Sequence, residues 1–162
     1  MSDKVKIMKQ DLFDELDLIV RTTSGLIKKI NEEEWSFRLV ETMRSLQELV
    51  QHLVLIPSQD LAILQEKNEA EVTQMAKEIE TVSDAEKLIN IMEQGTKDLK
   101  EYMISLSDDD FLTKATKPFY SDHASTQLKW LIEIVTHAQH HRSQVFTYMK
   151  FLKHDINMFD LY

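Results

Sequence analysis

Apolar residues recur at Val5, Met8, Leu12, Leu16, Ile19, Leu26 and Ile30, in steps of three, four or seven that place them on one face of a helix. Asn31 and the charged run Glu32 to Glu34 close this first helix, and Trp35 and Phe37 then fall in a connection expected to pack over one end of the fold. Ser45 followed by Glu48 has capping-box spacing, so a second helix begins near Ser45 and buries Leu46, Leu49, Val50, Leu53 and Ile56. Pro57 is expected to end or kink it, because the ring removes a donor and clashes one turn back.

From 58 to 82 the apolar positions Leu61, Ile63, Leu64, Val72, Met75 and Ile79 keep no single period, which predicts short, irregular helical pieces. Ser83 and Glu86 repeat the capping-box spacing and open a third helix along Ala85, Leu88, Met92, Gly95, Leu99, Tyr102 and Leu106. Gly95 within that stripe has a reason to be there if another helix or a ligand approaches closely; the alternative is an incidental, tolerated glycine. Ser107 to Ser125, with three consecutive aspartates, Pro118 and His123, reads as one long loop. Ser125 or Thr126 then caps a fourth helix whose apolar side is Leu128, Leu131, Ile132, Val135, Ala138, Val145, Phe146, Met149 and Leu152. Four periodic segments with these joins predict an all-α four-helix bundle forming one domain over residues 1–162.

Two glycines and two prolines in 162 residues starve a sheet of turn residues and agree with that architecture. The absence of cysteine excludes a disulfide framework, a cysteinyl zinc site and a thiol nucleophile belonging to the protein, so any metal must use nitrogen or oxygen ligands. A formal charge of −9, from 28 acidic and 19 basic residues, repels a phosphate backbone, and nucleic acid is not expected as a partner. The opening Met-Ser-Asp-Lys-Val-Lys has no apolar signal core, and no apolar run approaches the roughly 20 residues that span a bilayer, so no membrane association and a cytoplasmic location are expected.

The candidate chemistry lies in the histidines. His137 and His141 on the fourth helix are about 40° apart around the axis and one turn apart along it, so both imidazoles can address one point. Trp130, Glu133, Gln144 and Tyr148 share their stripe, at the border between core and solvent. His52 on the second helix has a similar setting, with Leu49, Leu53 and Ile56 to one side, and a glutamate stands four residues before each of His52 and His137. Glu48 and Glu133 are therefore candidates to orient a histidine or to add a ligand. A three-nitrogen site leaves a coordination position open, which suits catalysis. An i, i+4 histidine pair on a surface helix is also commonly just two solvated side chains. His140 falls on the exposed side, and His123 and His154 read as surface residues.

A lone histidine in Ser-Leu-Gln-Glu-Leu-Val-Gln-His-Leu, followed some eighty residues later by His-Ala-Gln-His-His-Arg-Ser-Gln, resembles the DinB-like (DinB/YfiT) family of proposed metalloenzymes over nearly the whole chain. The family's His-x-x-His-His-Arg-Gly-Gln carries over as His137, His140, His141, Arg142, Ser143 and Gln144, with Ser143 where glycine is usual. The resemblance implies an up-down-down-up bundle, a divalent metal on His52, His137 and His141, and a homodimer. It also implies activities of the kind found in relatives, thiol S-transferases that use bacillithiol or mycothiol and metal-dependent isomerases of thiol conjugates. The leading expectation is a transferase that uses a low-molecular-weight thiol, with metal-assisted hydrolysis as a variant in which water replaces the thiol. Zn²⁺ or Ni²⁺ suits imidazole ligands. Arg142, Gln144 and Tyr148 are then the expected cofactor-binding residues, Arg142 for an anionic thiol and the other two for substrate. The alternative is a non-catalytic, stress-related metal-binding or scaffold bundle, whose metal shell would be closed.

Overall fold

The computed structural model describes residues 2–162. Its elements in chain order are α1 (Asp3–Ile27), α2 (Leu46–Leu64), α3 (Glu69–Ile79), α4 (Ala85–Ser105), α5 (Asp108–Thr113), β1 (Ala115–Thr116), β2 (Ser125–Thr126) and α6 (Gln127–Phe151). The four bundle helices are α1, α2, α4 and α6. Each of α1 and α2 packs against both α4 and α6, so α1 and α2 lie diagonally across the bundle and α2 shares a long face with α6. The core between them includes Leu16, Ile19 and Leu26 of α1, Leu49, Leu53 and Ile56 of α2, Leu88, Met92 and Leu99 of α4, and Leu131, Ile134 and Val145 of α6. Among the described residues no helix is long and apolar enough to cross a membrane.

Helix starts follow the local chemistry of side-chain caps. Ser45 accepts from Glu48 N while Glu48 returns to the Ser45 amide, the expected capping box. Thr126 caps α6 by accepting from Lys129 N. The third expected helix starts one residue later than the Ser83 box implies, because Asp84 caps α4 by accepting from Lys87 N.

Pro57 neither ends α2 nor closes its apolar face. The helix runs on to Leu64, with Pro57 inside it and Leu61, Ala62, Ile63 and Leu64 buried beyond. A helix-interior proline costs about 3 kcal/mol, and burial of four further apolar residues past it offsets that cost. The irregular piece expected over 58–82 is therefore the last two turns of α2 plus α3, which opens on its own capping box, Asn68 with Glu71. Likewise the segment expected as one long loop contains α5, with its three aspartates at the first turn, where negative charge is favourable, and a short β1–β2 pairing of Ala115 with Thr126 and Thr116 with Ser125. Trp130 holds this hairpin by donating from Nε1 to the Thr116 carbonyl.

Gly95 marks a close approach between α4 and α2. A Cβ added there would stand 3.1 Å from Ser58 Cβ and 3.2 Å from Ser58 N, whereas a Cβ at Gly25 meets nothing within 4 Å. Gly25→Ala should accordingly raise stability by about 0.5–1 kcal/mol through helix propensity. Gly95→Leu should lower it by about 1–3 kcal/mol through overpacking. Denaturant midpoints of the two variants check the pair.

Candidate metal centre

His52 from α2 and His137 and His141 from α6 come together across the α2–α6 contact. His137 Nε2 stands 3.3 Å from His52 Nε2 and 3.1 Å from His141 Nε2, and one ligand atom from each residue falls within 4.8 Å of those of the other two. Nitrogens about 2.0–2.1 Å from a tetrahedral ion are separated by about 3.3–3.4 Å, so these spacings are those of ligands sharing one centre. His141 Nδ1 lies 2.7 Å from Gln144 Oε1. The amide oxygen accepts the Nδ1 proton and leaves the lone pair of His141 on Nε2, facing the other two rings. The three residues thus form a group that can hold a metal ion.

The imidazoles are also kept neutral, the form that ligates. Burial pushes His52 down to about 3, helped by the nearby positive charges of His141, Arg44 and His137. Burial lowers His141 to about 4, opposed by its bond to Gln144 and assisted by His137, His140 and Arg44. His137 is lowered by burial, with His140 and Arg44 adding to it. A lone pair is therefore available on these rings throughout the neutral range.

Several expected participants are placed elsewhere. Glu48 is occupied by its capping box and by Arg38, 2.9 Å away, and Glu133 pairs with Lys129 at 3.1 Å; neither orients a histidine. Arg142 is buried and turned toward α1, donating to Thr22 Oγ1 and to the Leu161 carbonyl, so its hydrogen bonds tie the C-terminal segment and α1 to α6 and do not face the histidine cluster. Tyr148 is buried edge-on to Phe37 and donates to the Arg44 carbonyl. His140 and His123 are exposed as expected, but His154 is largely buried against Glu34, 2.8 Å away. Ser143 is exposed, so the departure from glycine meets no neighbouring helix.

A cavity of about 190 Å³ is lined by Gln144 and Tyr148 with His140, and a larger one lies beside His52 and His137. The larger has a volume of about 360 Å³ and is lined by His52 and His137 together with Gln59, Asp60, Phe119 and Tyr120. A third cavity, of about 400 Å³, reaches His52 from the side of Arg44, Gln51 and Lys77.

The sequence matches the DinB family over residues 1–162. The chain belongs to the DinB family. A candidate DinB family member from Exiguobacterium sibiricum 255-15 is 26% identical, with a TM-score of 0.77 over 100% of this chain and 99% of the other. A DinB-like protein from Bacillus subtilis is 19% identical, with a TM-score of 0.65 over 90% and 94% of the two chains. The colibactin self-resistance protein ClbS, solved in complex with a dsDNA, is 13% identical, with a TM-score of 0.63 over 88% and 95%. No curated protein matches the sequence. These likenesses agree with the expected DinB-like, all-α fold, whereas the ClbS complex means that membership of this fold does not exclude nucleic acid as a partner.

Sequence periodicity missed Asp60, Phe119, Tyr120 and Arg44. Asp60 lies beyond Pro57, where the helix was expected to end or kink, and the two aromatic residues lie in a connection without period; a continuous α2 would have placed Asp60 two turns beyond His52.

In metal-free protein the unfolded chain protonates its histidines near the ordinary 6.5, while folded His52 and His141 stay neutral down to about 3 and about 4. The unfolded state thus binds more protons in this window, and stability should fall as pH is lowered from about 6.5 toward 4. Urea midpoints of chelator-treated protein at several pH values should show this decline, and a His52→Asn variant should show a shallower one.

Proposed function

We propose that His52, His137 and His141 hold one divalent cation, Zn²⁺ or Ni²⁺, and that the protein is a metal-dependent enzyme acting on a small electrophile with a low-molecular-weight thiol or water as nucleophile. The observation that carries this reading is the convergence of three neutral imidazole nitrogens beside a cavity of about 360 Å³. A bound cation of this kind stabilises a thiolate or hydroxide near neutral pH, which a chain without cysteine cannot otherwise supply from its own side chains. Gln144 fixes the His141 tautomer, and Ile56, Ile63, Val72 and Phe119 give the cavity apolar walls for the substrate. Arg44, exposed on the other side of His52 and in no ion pair among the described residues, takes the part first expected of Arg142, attracting an anionic thiol. Homodimer formation belongs to this reading through the family resemblance, and light scattering tests it.

The second reading, a non-catalytic metal-binding or scaffold bundle, requires a closed ligand shell. Neither glutamate expected to close it faces the histidines, which favours the enzyme. Duplex DNA, seen with ClbS, is disfavoured for this chain by its charge of −9, and a fluorescence titration with duplex at physiological salt should show no saturable binding.

Purified protein should contain about one divalent ion per chain. His52→Ala and His137→Ala should each remove it, and His140→Ala should leave it in place; metal analysis alongside circular dichroism checks all three. A panel of thiols and electrophiles should reveal conjugation or hydrolysis that the chelator and His137→Ala abolish. Metal-loaded protein inactive across the panel, with a cobalt spectrum that no thiol perturbs, would leave the scaffold reading standing.

A further inference from the structure

We infer that Asp60 is the acid–base group of the cavity, donating a proton to the leaving atom of an apolar electrophile held between it and the histidine cluster; the inference rests on the enzymatic reading above. Asp60 lines the same cavity as His52 and His137 and is half-buried. It lies eight residues beyond His52 on α2, about 12 Å along the helix axis. That separation leaves room for a substrate and keeps Asp60 out of the group of converging ligand atoms. Glu133, whose charge acts on Asp60, is paired with Lys129, whereas the Asp60 carboxyl has no hydrogen-bond or ion-pair partner among the described residues.

The groups around Asp60 favour its protonated form. The charge of Glu133 acts on it from α6, and Tyr120 lines the cavity from the connection before β2, while α3 contributes Val72, Thr73 and Ala76, none of them charged; His52 and His137 also line it and are neutral. Burial, with the negative charge of Glu133 added, pushes Asp60 up to about 7, so a large fraction carries its proton at neutral pH. An ordinary aspartate would be ionised there and have no proton to give.

The division of labour follows from proton balance. The thiol or water loses its proton to solvent on becoming an anionic nucleophile at the histidine cluster. Its lone pair then forms the bond to the electrophilic carbon, and the bond from that carbon to the leaving oxygen or nitrogen breaks with the electron pair going to the heteroatom. The Asp60 O–H proton passes to that heteroatom, leaving Asp60 as carboxylate, and a solvent proton restores it. The net change is addition of the nucleophile and release of a protonated leaving group, with no oxidant or reductant. The walls of Ile56, Ile63, Val72 and Phe119 select an electrophile with an apolar body.

The test uses metal-loaded wild type, Asp60→Asn and Glu133→Gln with a series of electrophiles whose leaving groups range from strongly to weakly basic. Asp60→Asn should lower kcat/KM by about 100-fold for basic leaving groups and by less than about threefold for those that depart without a proton. The cobalt spectrum should be unchanged. Infrared difference titration should find a carboxyl protonating near neutral pH that is absent in Asp60→Asn and shifted downward in Glu133→Gln, together with the alkaline limb of the activity profile. An Asp60 carboxyl that titrates near 4, or equal losses for both classes of leaving group, would overturn the proposal while leaving the metal-dependent reading intact. A wild type without metal-dependent turnover would overturn both.

Discussion

The contact between α2 and α6 is the constraint on which the histidine cluster rests. One histidine comes from α2 and two from α6, so a slide of either helix by a single turn, about 5.4 Å, would separate His52 Nε2 from His137 Nε2, which now stand 3.3 Å apart. What prevents the slide is packing. Leu49, Leu53 and Ile56 on α2, and Leu131, Ile134, Ala138 and Val145 on α6, are buried in the common core, and close-packed interiors resist small displacements. On the far side of α2, Gly95 lets α4 come within contact of Ser58, so the helix is held from two directions. The histidine group is therefore a product of the apolar core that positions α2 and α6.

Placing imidazoles in that setting has an electrostatic consequence. The surroundings that fix their positions also desolvate them, and three rings with Arg44 nearby oppose one another's protonation. Neutral nitrogen ligands facing a common point repel unless a proton or a cation lies between them, which is why a site of this kind stores affinity for a cation. Gln144 settles where the remaining proton of His141 resides, and in doing so commits Nε2 to the centre. The polar side chains are divided accordingly: Gln144 serves the cluster, while Arg142, one position along from His141, serves the joint between α6, α1 and the C-terminal segment.

The bundle and the grouping of His52, His137 and His141 were legible because both are periodic. His137 and His141 share a helical stripe, and His52 lies on a helix with a matching apolar side, so spacing alone places each residue on a face. The failures have local causes. Pro57 carries a strong breaking signal that the burial of Leu61 to Leu64 overrides, and with the end of α2 misplaced, Asp60 could not be set beside His52. The true end of α2 lacks the usual marker, because Glu66 adopts φ 61 where glycine is the common choice; Lys67 N donates to the Ala62 carbonyl and Glu66 N to that of Ile63, closing the turn. Lys153, at φ 68, ends α6 in the same way. Neighbours across the bundle, such as Thr22 and Leu161 around Arg142, have no sequence signature at all.

The cavity is built from two kinds of material. His52, His137 and Asp60 stand on helices locked into the core, whereas Phe119 and Tyr120 belong to the stretch between β1 and β2, anchored at its base by two strand pairs and the Trp130 bond to Thr116. Insertions or exchanges in that stretch alter the outline of the chamber without touching His52, His137 or Asp60. In evolutionary terms the two are separable, and descendants of such a protein can drift in the outline of the chamber while inheriting the same histidines and carboxyl.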